Sequence, residues 1–123
     1  NNSYNVAVGV RALTDATEGY NTALGNRSGS LISSGEYNTT LGHKSGDNIT
    51  SGSGNVVIGD VDVASATGDR QLVIAGYDGS TTTTWISGDN SGNVTVTGTV
   101  TANGEVLSAG VSAGFAVAMA IAL

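Results

Sequence analysis

The chain has 123 residues, with 19 Gly and no Pro or Cys. The absence of Cys excludes disulfides and thiolate metal sites. A formal net charge of −6 disfavours nucleic acid and anionic lipid surfaces as partners. Charged residues make up only 11% of a chain rich in Ser, Thr, Asn and Gly. Because its apolar positions are regularly spaced, this composition favours many short strands over disorder.

Residues 1–76 repeat one short pattern, with a polar Asn or Gln first, an apolar residue fourth, and Gly or Ala fifth. The copies cover residues 5–9, 21–25, 38–42, 55–59 and 71–75. A unit this short cannot bury a core alone, so the spacing predicts stacked coils that bury their core between neighbours. The residues that define the repeat are Asn5, Gly9, Asn21, Gly25, Asn38, Gly42, Asn55 and Gly59.

Each coil is predicted to contain one short strand followed by turns. The predicted strands cover residues 6–10, 22–25, 39–42, 56–59 and 72–75. A second apolar position recurs in the middle of the coil, at Leu13, Leu31, Ile32, Ile49 and Val63. Two apolar edges per coil favour a flattened solenoid or β-roll, and no helical period appears. The Asn that opens each coil has two interpretations: a stacked ladder of side-chain amides, or a residue that bonds to its own turn.

The remaining chain is predicted to divide into a transition or cap, 77–93, and a strand-rich C-terminal segment for trimerisation or docking, 94–123. Trp85 lies where the repeat ends and is predicted to cap the open end of the array. Residues 94–106 alternate strictly between apolar or small and polar residues, which predicts one extended strand.

Residues 114–123 are apolar on both alternating faces. Their run of about ten residues is short of the roughly twenty that a membrane-spanning helix needs. We expect a buried strand or an inter-chain plug, although the alanines also permit a helix. An exposed segment of this kind favours aggregation, which argues for an oligomer.

The repeat resembles sequences from two groups of β-fibres. Ala7-Val8-Gly9 and the stretches 20–25 and 37–42, read as Asn-x-Ala-x-Gly followed by a turn, resemble the head repeat of trimeric autotransporter adhesins. They also resemble the shaft of bacteriophage tail fibres, as does the stretch 89–98. The resemblance implies an all-β, homotrimeric β-roll. These coils, at 16–17 residues, are longer than the compact adhesin repeat.

Three cations form the candidate anion site, since Arg11, Arg27 and Lys44 each lie six residues after their coil's Asn. Stacked coils would place them about 4.8 Å apart. Such a ladder would either pair with acids, or bind acidic glycan or lipopolysaccharide phosphate. The acids considered as partners are Asp15, Glu18, Glu36 and Asp47.

Other polar residues are interpreted as turn residues. The single His43 does not support a metal site within one chain, although copies could meet at an ion on a three-fold axis. The oxygen-rich stretches 60–62, 78–79 and 89–91 do not match known calcium loops. No nucleophile–base pair or phosphate loop is present, so we expect neither an enzyme nor a cofactor.

The resulting hypothesis is a structural virion fibre, a phage tail or head fibre on the virion surface that attaches to its host as a homotrimer. Its expected partners are a host glycan or protein, through turns 14–20, 28–36 and 47–53, and other virion or baseplate proteins, through the apolar tail. No nucleic acid and no membrane span are expected. The alternatives are a trimeric adhesin head on a bacterial cell surface and an ice-binding solenoid, the latter suggested by Thr95, Thr97, Thr99 and Thr101.

Overall fold

The computed structural model describes residues 4–107, and this part of the chain is all β. The strands are β1 (Val6–Val8), β2 (Thr22–Leu24), β3 (Thr39–Leu41), β4 (Val56–Ile58), β5 (Leu72–Tyr77), β6 (Thr82–Gly88), β7 (Val94–Val96), β8 (Val100–Ala102) and β9 (Glu105–Leu107). The expectations for residues 114–123 lie outside the described residues.

Strands β1 to β5 pair in parallel, in chain order, with equivalent repeat positions side by side. Val8 pairs with Leu24, Leu24 with Leu41, and Leu41 with Ile58. The chain therefore forms a β-solenoid of about four turns between residues 6 and 74, as the repeat spacing predicted. Strands β1 to β4 are three residues long, slightly shorter than predicted, whereas β5 extends to Tyr77.

The core lies between the third residue of the repeat, in every copy except the first, and the middle of each coil. Ala23, Val57 and Val73 point inward from the strands. They face the mid-coil apolar side chains, which are buried as predicted, with the exception of Leu31, which is 45% exposed beside the fully buried Ile32. The buried mid-coil residues are Leu13, Ile32, Ile49 and Val63. Full burial of an Ile or Val side chain contributes about 1.5–3 kcal/mol.

The Asn residues that open the coils form a buried amide ladder, which confirms the first interpretation. The side-chain oxygen of each accepts a hydrogen bond from the backbone N–H of the next ladder residue. From Asn5 through Asn21, Asn38 and Asn55 to Gln71, these N–H···O distances are 2.8, 3.0, 2.9 and 2.9 Å. The Nδ2 of Asn21 and of Asn38 also donates to the carbonyl of the Gly three residues before the next ladder residue, Gly35 and Gly52, at 2.9 Å in both cases.

The ladder therefore links consecutive coils. The second interpretation also holds in part, because Asn21 Nδ2 bonds to Gly19 of its own turn at 3.2 Å. Side-chain amides that satisfy buried backbone groups in this way fix the stacking distance at the corner of every coil.

The repeat glycines allow the coils to approach closely at the end of each strand. Gly25 has φ +139°, and a Cβ placed there would lie 2.2 Å from the carbonyl oxygen of Gly42. Gly9 and Gly59 meet the next coil in the same way. Any side chain at these positions would push neighbouring coils apart, which explains why the fifth position of the repeat is so small.

Antiparallel strands extend the sheet beyond the last strand of the solenoid. Strand β6 pairs with β5, and β7 pairs with β6, so the order of the seven-stranded sheet follows the chain. The single extended strand predicted over residues 94–106 is wrong. Strands β8 and β9 form a separate hairpin around Asn103 and Gly104, both at positive φ. Asn-Gly favours the two-residue hairpin turn that requires this backbone.

Candidate functional site

The outer face of the solenoid sheet exposes a row of large apolar side chains. The apolar fourth position of the repeat points outward, whereas the third is buried in every copy except Ala7. The exposed large apolar residues of strands β1 to β4 are Val6, Val8, Leu24, Leu41, Val56 and Ile58. Parallel sheets are usually covered on both faces. This sheet is covered by its own coils on one face and is open on the other.

The outward side chains lie in two parallel columns, because equivalent positions pair across the strands. One column consists of Val8, Leu24, Leu41 and Ile58, and is apolar throughout. The other contains exposed Thr22 and Thr39 between Val6 and Val56. An apolar strip that continues along the whole array is a surface suited to a partner with the same repeat.

A column of tyrosines lies at the corner immediately before the Asn ladder. The rings of Tyr4 and Tyr20 stack with centroids 5.1 Å apart and planes 11° apart. Those of Tyr20 and Tyr37 stack at 4.9 Å and 10°. All three side chains are exposed, Tyr37 by 59%. The sequence signal for this column is a Tyr directly before Asn in three successive coils.

The predicted cation ladder exists as a backbone column, but its side chains behave differently. Arg11, Arg27 and Lys44 all have positive φ, between 51° and 61°. The N–H groups of Arg27 and Lys44 bond to the preceding coil at 2.8 Å. Pairing with Asp47, one of the two interpretations, holds for Arg27, whose Nη2 lies 3.6 Å from Asp47 Oδ2. Among residues 4–107, neither Arg11 nor Lys44 forms an ion pair.

An acidic patch lies beside this column. Exposed His43 pairs with Asp60, with Nδ1 2.7 Å from Oδ2. Partial burial, with the neighbouring Asp47 carboxylate, raises the pKa of Asp62 above its usual range. Within the described part of the chain, no three His, Asp or Glu side chains are grouped so as to hold a metal ion.

The acidic turns after the solenoid hold themselves together through side-chain hydrogen bonds, as predicted. Asp78 Oδ1 accepts the N–H groups of Ser80 and Thr81 at 2.9 and 2.8 Å. The side chain of Asn93 donates to Asp89 Oδ2 at 2.8 Å. Hydrogen bonds to the ionised form lower the pKa of both Asp78 and Asp89.

Trp85, the predicted cap, lies on β6 and is 54% exposed. Its ring lies over Gly76 of β5, where an added Cβ would approach the indole to 2.6 Å. The contact joins the first antiparallel strand to the last strand of the solenoid. The role of Trp85 as a cap stays a prediction.

Comparison of the chain with protein-family models, with curated proteins and with solved structures gives no match. The assignment of a β-solenoid therefore rests on the strand register and the ladder described above. In residues 4–107, no helix has the length and apolar character needed to cross a bilayer.

Proposed function

We propose that this chain is a structural fibre protein of a virion, a phage tail or head fibre that attaches to its host as a homotrimer. The observation that supports this most is the open apolar face of β1 to β4, in which Leu24 and Leu41 are 47% and 42% exposed. A solenoid that stayed alone would leave this strip in water along its whole length. Copies aligned lengthwise would cover it.

Cyclic symmetry is the commonest way in which identical chains close such a surface, and the resemblance to trimeric β-fibres favours three copies. In this arrangement the in-register coils act as a stiff spacer. Weak receptor contacts on the exposed turns are then presented in several copies, and linked binding sites raise the overall affinity by about 10²–10⁴-fold. The apolar segment 114–123 would dock the fibre on other virion or baseplate proteins.

The face is tested by a pair of matched substitutions. Leu41→Asp places a carboxylate in the middle of the apolar column, whereas Leu31→Asp changes a Leu of similar exposure outside the strands (42% and 45%). We expect Leu41→Asp to dissociate the assembly in native mass spectrometry and Leu31→Asp to leave it intact. If both variants dissociate, or if both stay assembled, the result would contradict the proposed interface.

Attachment is tested with fluorescently labelled protein and a panel of intact bacterial cells. The proposal expects saturable binding of the assembled protein to some strains, and binding at least about 10²-fold weaker for dissociated Leu41→Asp, because the multivalent gain is lost. Binding to none of the panel by an intact assembly would count against a role in attachment.

The ice-binding alternative gains no support from the outer face. A regular threonine array would need Thr at the same position in every coil, and here Thr22 and Thr39 are flanked by Val6 and Val56. The threonines that suggested this function lie outside the solenoid. Thr95 is on β7 and Thr101 on β8, which belong to different sheets.

A further inference from the structure

The residue directly before each ladder position occupies the same corner in every coil. These residues are Tyr4, Tyr20, Tyr37, Gly54 and Arg70, with φ of 68°, 63°, 58°, 69° and 53°. They form one column, in which three aromatic rings are followed by a Gly and then by an Arg.

Gly54 interrupts the column, because it lacks the side chain that would continue the stack. One face of the Tyr37 ring is covered by Tyr20, and among residues 4–107 no aromatic ring covers the other. Strands lie about 4.8 Å apart, so Tyr37 and Arg70, two coils apart, are separated by about 10 Å along the stack. A ring in van der Waals contact is about 3.5–4 Å from its neighbour, so one ring fits over Gly54.

The backbone holds this gap open. The N–H of Gly54 donates to the backbone carbonyl of Glu36 at 2.9 Å, and the N–H of Arg70 donates to that of Ser53 at 2.9 Å. The corner residues of three consecutive coils are therefore tied at fixed spacing. The stem of Arg70 borders the gap on the side away from Tyr37, where a Cβ on Gly54 would lie 3.5 Å from Arg70 Cγ, an ordinary van der Waals contact.

Arg70 supplies the second part of a recognition site. Its side chain is exposed, and among the described residues it forms no ion pair. A guanidinium binds a carboxylate through two parallel hydrogen bonds. Glu36 and Asp69, the chain neighbours of Tyr37 and Arg70, disfavour ligands of high negative charge such as phosphates.

We propose that Tyr37, Gly54 and Arg70 form a binding slot for a sugar ring that bears one carboxylate, as in an acidic cell-surface glycan. The C–H face of the sugar lies on the open face of Tyr37, the bare backbone of Gly54 makes room for it, and its carboxylate meets Arg70. This assignment rests on the proposed function in attachment, for which it names the ligand class.

The slot is tested by NMR titration of the ¹⁵N-labelled full-length protein with methyl glucuronide and, as the neutral match, methyl glucoside. The expected result is saturable shifts centred on the amides of Tyr37, Gly54 and Arg70, with a Kd in the range of about 1–10 mM for the acid. Because methyl glucoside cannot form the charge-assisted hydrogen bonds with Arg70, its Kd should be about fivefold to tenfold higher. Equal affinity for the two sugars, or no saturable shift at this corner, would overturn the proposal.

Two variants complete the test. Gly54→Tyr fills the slot and extends the stack; its backbone, at φ +69°, is already close to that of the column tyrosines. It should abolish glucuronide binding. Arg70→Gln should reduce the affinity for the acid to that for the glucoside, while Tyr4→Ala, at the far end of the column, should change neither. Unaltered binding by Gly54→Tyr, or an unaltered preference in Arg70→Gln, would contradict the assignment.

The experiments can reject the binding slot and the proposed assembly independently of each other. An intact trimer without glucuronide binding rejects the slot and leaves the fibre. A monomer that binds glucuronide at this corner keeps the slot and rejects the trimeric fibre.

Discussion

Replacing the central member of the amide ladder should be among the most destabilising changes in the solenoid. Asn38 is 1% exposed, its Oδ1 accepts the backbone N–H of Asn55 at 2.9 Å, and its Nδ2 donates to the carbonyl of Gly52 at 2.9 Å. Asn38→Ala leaves both of these buried backbone groups without those partners. Each such group costs about 1–3 kcal/mol, so the free energy of unfolding should fall by about 2–6 kcal/mol.

This loss is large against the 5–15 kcal/mol that typically stabilises a domain, as a rough guide. The matched control is Asn5→Ala, which removes the first ladder residue. Asn5 makes the equivalent bonds, to Asn21 N–H at 2.8 Å and to the carbonyl of Glu18 at 2.9 Å. It is only partly buried, at the outer end of the ladder, so water can replace its contacts, and we expect a loss below about 1.5 kcal/mol.

Urea unfolding followed by circular dichroism measures both variants, at one protein concentration because assembly also contributes to stability. The midpoint should fall much further for Asn38→Ala than for Asn5→Ala, with similar slopes. If the two variants lose the same stability, or if Asn38→Ala loses less than about 1 kcal/mol, the ladder does not hold the coils together as described.

Three further substitutions test other contacts. Gly25→Ala, which drives a Cβ into the next coil, should lower the free energy of unfolding by more than about 2 kcal/mol, whereas Gly79→Ala, in open space, should lose less in the same urea assay. Asp62→Asn should raise the free energy of unfolding at pH 7 by less than about 1 kcal/mol, because solvent screens the charge of this partly exposed carboxylate. The raised pKa of Asp62 means that its ionisation opposes folding, so this gain in stability should vanish as pH falls and the wild-type carboxyl is protonated. A gain that stays constant with pH would show that it does not come from the charge of Asp62. Trp85→Ala should speed amide exchange in β5 but not in β2, and equal protection of both strands in the variant would reject the cap.

The architecture of the solenoid could be predicted because its signal is spacing. Coils of nearly equal length place Asn21, Asn38 and Asn55 at one corner, and the mid-coil Ile32 and Ile49 at the opposite edge. Stacking follows from that regularity alone. The choice between an amide ladder and local turns could not be made from the pattern, because it depends on whether the next backbone N–H lies within reach of the side chain.

Which strand face is buried could not be read from three-residue strands. Thr22, Thr40 and Val57 show the difficulty, because apolar and β-branched residues occupy both faces. Thr40 is 1% exposed, and its buried hydroxyl accepts a hydrogen bond from the Ser28 hydroxyl at 2.7 Å. The third position therefore enters the core even where it is polar, in every copy except Ala7, and the more apolar fourth position faces outward.

The error over residues 94–106 has a simple geometric cause. Across the two-residue loop, Thr101 pairs with Val106 and Ala102 pairs with Glu105, and paired residues lie on the same face. The alternation in the sequence therefore continues past the turn, but residues of one parity change face where the chain reverses. Asn103-Gly104 marks the reversal in the sequence, since both residues adopt positive φ readily. Turn chemistry should have taken precedence over periodicity here.

The most direct test of the central claim is the mass of the full chain in solution, measured by sedimentation equilibrium in dilute neutral buffer. If sister chains cover the outer face of β1 to β4, the species should have three times the chain mass of 12.1 kDa and should keep that mass on dilution. A stable, well-behaved particle of 12.1 kDa would show that the open apolar face needs no partner, and would contradict the proposed fibre.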